Sequence, residues 1–99
     1  MKSKRHVSYN DVLGAALTDP QEAAAYLAAV IELNDQPTLL LALREVAKAH
    51  GMADIARRAD MGDKTLFKAL SDSGNPTLDT VSKVLAAMGL RLTVEAMPA

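Results

Sequence analysis

The chain has 99 residues, no cysteine, two histidines and a formal net charge of -1. That is the length of one domain; it excludes disulfides and cysteine-ligated metal and lacks the overall basic excess usual in nucleic-acid binders. Aromatic residues make up 3% of it, too few for a stacking platform for single strands, and there is no run of about 18 apolar residues to span a membrane.

The basic start carries Lys2, Lys4, Arg5 and His6. No apolar stretch follows it, so the reading is a flexible basic tail over residues 1–18, no secretory signal and a cytoplasmic protein. A short helical turn is expected near residues 12–17. Residues 19–99 form the single domain. Its first helix opens at Asp19-Pro20, with Asp19 as cap, Pro20 in the first position and Glu22 complementing the dipole. Ala23, Tyr26, Leu27, Val30 and Ile31 recur at spacings of three and four and make its apolar stripe. Asn34-Asp35 ends it, and Asp35 caps a second helix over residues 36–50, buried through Leu39, Leu40, Leu43, Val46 and Ala47 and ended by Gly51.

Two short helices are predicted next, over residues 53–59 and 62–71, with only Asp60-Met61-Gly62 to turn between them. Ile55, Ala56, Ala59, Leu66 and Leu70 are expected to point inward, Met61 to plug the turn and Phe67 to pack beside the leucines. Small residues at 56 and 59 allow two helices to cross closely, the arrangement of a helix-turn-helix over residues 52–71. Residues 71–76 are a loop by their Ser, Asp, Gly, Asn and Pro. A fifth helix over residues 77–88, capped by Thr77 or Asn75, has Leu78, Val81, Val84, Leu85 and Met88 as its core face and Gly89 as terminator. Residues 90–95 alternate apolar and polar, which predicts one short strand. A lone strand needs a partner for its backbone groups. Pairing of Leu90, Arg91, Leu92, Thr93 and Val94 with a second copy is expected, giving a homodimer, or with another protein.

Tyr26-Leu27, the run Leu43-Arg44-Glu45-Val46-Ala47-Lys48-Ala49-His50-Gly51-Met52, Ile55-Ala56-Arg57, Thr65-Leu66-Phe67-Lys68-Ala69-Leu70-Ser71, Gly74-Asn75-Pro76-Thr77-Leu78 and Val84 to Leu92 carry a family likeness. Through them the chain resembles the addiction-module antidote (antitoxin) family, helix-turn-helix proteins of the HigA-like, λ-repressor-like (XRE-type) kind. The resemblance implies an all-α, five-helix λ-repressor-like DNA-binding domain with a helix-turn-helix and a short C-terminal strand. It also implies repression of its own operon and a RelE-like toxin as partner. The chain departs from the family pattern at Asp60, where glycine is favoured, and at Gly62 and Asp63, where a serine and then a polar or basic residue are favoured.

If the second short helix enters a major groove, its N-terminal residues lie nearest the bases of double-stranded DNA. Lys64 then suits guanine, Thr65 a thymine methyl or a phosphate, and Lys68 the backbone, while Arg57 and Arg58 position the supporting helix. Asp63 caps the helix, accepts from cytosine N4 or weakens binding; capping is the favoured role. Asp60, Gly62, Asp63 and the acidic balance favour an alternative, a degenerate helix-turn-helix that neutralises a toxin by direct contact. No nucleophile–base set, phosphate loop or metal-ligand spacing is present, so neither an enzyme nor a cofactor is expected. His50 reads as structural.

Overall fold

The structure, a computed structural model, describes Gly14 and residues 16–98. The basic start and Val12 and Leu13 of the expected helical turn lie outside the described residues. Gly14, Ala16 and Leu17 are helical, and Leu17 is buried with the core. Five helices follow: α1 Pro20–Ile31, α2 Gln36–His50, α3 Met52–Arg58, α4 Asp63–Ala69 and α5 Leu78–Ala87.

The helix starts are set by local chemistry. Asp19 Oδ1 accepts from the Gln21 N–H at 2.9 Å, Asp35 Oδ2 from the Thr38 N–H at 3.1 Å and Thr77 Oγ1 from the Thr80 N–H at 3.1 Å. Each satisfies one of the amides a first turn leaves without a partner. Gly51, with φ at +104°, both ends α2 and begins α3, so no linker separates them.

Helix α1 packs on α2, α2 on α3, and α3 on both α4 and α5. The core draws from every element: Ala23 and Leu27 of α1, Leu40, Leu43 and Val46 of α2, Ile55 and Ala56 of α3, Leu66 and Leu70 at α4, and Val84 and Met88 at α5. Arg44 of α2, with only 17% of its side chain exposed, donates to the Leu70 carbonyl at 2.9 Å and pairs with Asp72 at 3.1 Å. It thereby fastens the end of α4 to α2. The loop beyond is tied to α2 by Gln36, whose Nε2 donates to Asn75 Oδ1 at 3.3 Å.

Several expectations are corrected. Ile31 and Leu78, assigned to apolar stripes, stand exposed, Leu78 at 72%. Phe67 does not pack beside the leucines and is 62% exposed. No strand occurs over residues 90–95. The Leu90 N–H donates to the Leu85 carbonyl at 2.8 Å and the Gly89 N–H to that of Ala86 at 3.0 Å, so Leu90 completes the C-terminal cap of α5. From Arg91 onward every described residue is exposed. A strand requires a ladder partner, and the described chain offers none.

Candidate nucleic-acid interface

Two short helices frame the site. Helix α3 ends in a cap closed by the Met61 N–H on the Ala56 carbonyl at 2.9 Å and the Asp60 N–H on that of Arg57 at 3.2 Å. This geometry puts Asp60 in the left-handed region at φ +58°, a conformation that aspartate tolerates better than most residues. After residues 59–62 the chain re-enters helix at Asp63. Ala56 and Ala59 are buried, as a close approach of α4 requires, and Met61 is half-buried beneath the turn.

Leu66 and Leu70 are fully buried and fix the rotation of α4. Each contributes roughly 1.5–3 kcal/mol of apolar burial, which holds a seven-residue helix far too short to persist alone. At about 100° per residue, Lys64 and Lys68 then point directly away from the core. Asp63, Lys64, Thr65 and Lys68 are all exposed. Neither lysine has an ion-pair partner among the described residues.

Asp63 does not act as the helix cap. Gly62 occupies that position and no side-chain hydrogen bond closes the first turn. A carboxylate one residue inside the helix still complements the dipole, and its oxygens remain open to a donor outside the chain.

Arg57 and Arg58 are exposed but engaged. Asp54 accepts from the Arg57 guanidinium and, at 3.1 Å, pairs with Arg58 Nε. Arg58 also reaches the Ala87 carbonyl at 3.5 Å, at the end of α5. The supporting helix thus presents two cations sharing one carboxylate. Arg44 is held within the fold by the Leu70 carbonyl and Asp72 and adds no free cation to this face.

Phe67 is the residue that sequence reasoning missed. It lies three residues after Lys64 and four before Ser71, and these three with Lys68 line a shallow hollow on the outer side of α4. The signal was present: one residue beyond Leu66 lies about 100° off the buried line, on the lysines' side. A deeper hollow, lined by Val30, Ile31, Leu39, Leu40, Leu43 and Val81 among others, lies between α1, α2 and α5, away from α4. Leu90, Arg91, Leu92, Thr93 and Val94 lie beyond α5; Leu90 is half-buried and the other four are exposed. Among the described residues no group of three or more histidine or acidic side chains gathers as a metal site would, and no helix is long and apolar enough to cross a membrane.

Comparison with known proteins identifies the relatives. Residues 9–96 match the family model described as "Probable addiction module antidote protein". An uncharacterized protein of Haemophilus influenzae is 39% identical over 79 residues, covering 80% of this chain and 81% of that protein. No solved structure gives a significant match.

Proposed function

The chain belongs to the addiction-module antidote family, and from that premise we propose that it binds double-stranded DNA and represses its own operon, with α3 and α4 as a λ-repressor-like, XRE-type helix-turn-helix. The observation that carries this is the outer face of α4: among the described residues Lys64 and Lys68 are unpaired and exposed, while Leu66 and Leu70 lock the helix beneath them. In a major groove this face puts Lys64 and Thr65 near base edges and Lys68 near the backbone, with Asp63 facing a base that offers a donor, such as cytosine N4. Arg57 and Arg58 reach phosphates from the supporting helix. A second copy engages the segment from Leu90 to Val94, which is exposed from Arg91 onward, giving the homodimer that a two-fold operator requires.

The protein partner in this proposal is a RelE-like toxin, met in the cytoplasm. A second reading keeps the toxin and drops the DNA. It is favoured by one observation, that Asp54 already pairs with both Arg57 and Arg58.

The test is binding of the purified protein to its own upstream DNA across a salt series, beside a Lys64→Ala/Lys68→Ala variant. Specific, salt-sensitive binding is expected, with the log–log salt slope reduced by about 0.9 in the variant for the phosphate that Lys68 no longer neutralises, and with sequence preference weakened by the loss of Lys64. Absence of binding by the unmodified protein would overturn the DNA reading and leave the toxin as sole partner.

A further inference from the structure

We infer that Phe67 is a specificity residue, its ring reading the C5 methyl of a thymine in the major groove beside the base bound by Lys64. The inference rests on the reading of α4 as the helix that enters DNA.

The ring is 62% exposed, and the buried Leu66 and Leu70 prevent α4 from turning it inward. An exposed ring at the middle of a seven-residue helix forgoes burial that a phenylalanine normally obtains. It is flanked by two ammonium groups and the Ser71 hydroxyl, and no carboxylate lines the hollow they form. Asp63 stands one turn before it, at the adjoining edge.

Charge decides between occupants of this face. A protein surface seated on the ring would have to desolvate two strongly hydrated lysines or supply acids for both. A DNA groove has phosphates on its rims and base acceptors on its floor, so Lys68 keeps a counter-charge and Lys64 meets acceptors while the ring enters beside them. Phenylalanine has no donor or acceptor and cannot read the hydrogen-bonding pattern of a base edge. The one apolar group that the four bases display in the major groove is the thymine methyl. A lysine-flanked phenylalanine therefore selects thymine at the step it faces, while Lys64 selects its neighbour by hydrogen bonding.

The experiment uses the full chain and its upstream DNA amplified once with thymine and once with uracil, which lacks only that methyl. The unmodified protein is expected to bind the thymine fragment roughly fourfold more tightly than the uracil fragment, as burial of one methyl-sized apolar group would give. Phe67→Ala, which removes an exposed side chain and keeps the helical circular dichroism, binds both fragments alike with an unchanged salt slope. Equal binding of the two fragments by the unmodified protein overturns the role of Phe67 and leaves DNA binding intact. A uracil penalty that survives in Phe67→Ala also overturns it, by placing the methyl recognition on another residue. Loss of a protein partner in Phe67→Ala with both DNA affinities untouched assigns the ring to protein docking instead. No binding of either fragment by the unmodified protein overturns this inference together with the reading on which it rests.

Discussion

A methyl group on Gly74 would lie 2.2 Å from the carbonyl oxygen of Ala69 and 2.8 Å from that of Lys68. These are backbone atoms at the end of α4, so neither can swing aside. The glycine is required by close approach, which lets the loop fold under the helix while its own N–H donates to the Ser71 carbonyl at 2.9 Å. Gly74→Ala is expected to cost about 1–3 kcal/mol, the range for forcing atoms into a packed site, read from urea unfolding. A loss under about 0.5 kcal/mol, the level of a neutral surface change, would show that the loop yields freely. Local residue chemistry was legible in the sequence where it acts over a few positions. Asp19, Asp35 and Thr77 cap as their spacing predicts, and Asp60 takes up the left-handed turn between the two short helices. The requirement at Gly74 was not legible, because it depends on where a loop meets a helix end.

At the scale of the element, the periodic stripes located the helices but not their full faces. Ile31 and Leu78 obey the period yet stand at the last and first positions of their helices, where they remain 49% and 72% exposed. The rotation of α4 follows from Leu66 and Leu70, and with it the outward lysines; Phe67 deceives because its apolar character outweighs its position on the wheel. Helix α3 carries a consequence of its own. Asp54 holds Arg57 and Arg58 three and four residues away, and exposed pairs of this kind contribute little to stability. Asp54→Ala is therefore expected to change stability by less than about 1 kcal/mol. It should steepen the salt dependence of DNA binding by up to about 1.8 if both freed guanidiniums reach phosphates. An unchanged slope would show that Asp54 does not hold the two guanidiniums away from phosphates.

For the whole molecule, the fold is ordered around α3, which touches α2, α4 and α5. The arm beyond α5 contributes no buried residue from Arg91 onward among those described, while the cap bond from Leu90 closes the domain before it. Removing residues 91–99 should leave the helical signal in place and, if the arm joins two copies, convert a dimer into a monomer in sedimentation. A dimer that survives the deletion would move the interface to another surface. The alternation that predicts a strand here is a property of the segment alone; strand formation is a property of two segments, and one chain's sequence contains only the first.

The suspension of α4 has a consequence for its motion. Its seven residues lean chiefly on α3, with Arg44 of α2 holding the Leu70 carbonyl at its end. A unit attached at so few points detaches at a lower free energy than the domain as a whole unfolds, so its backbone amides exchange with solvent through their own opening. Any ligand that needs α4 in place binds only the closed fraction, and its apparent affinity is scaled by that fraction. Such a ligand in turn slows the exchange, so that the order of this one helix and the occupancy of its outer face are coupled quantities.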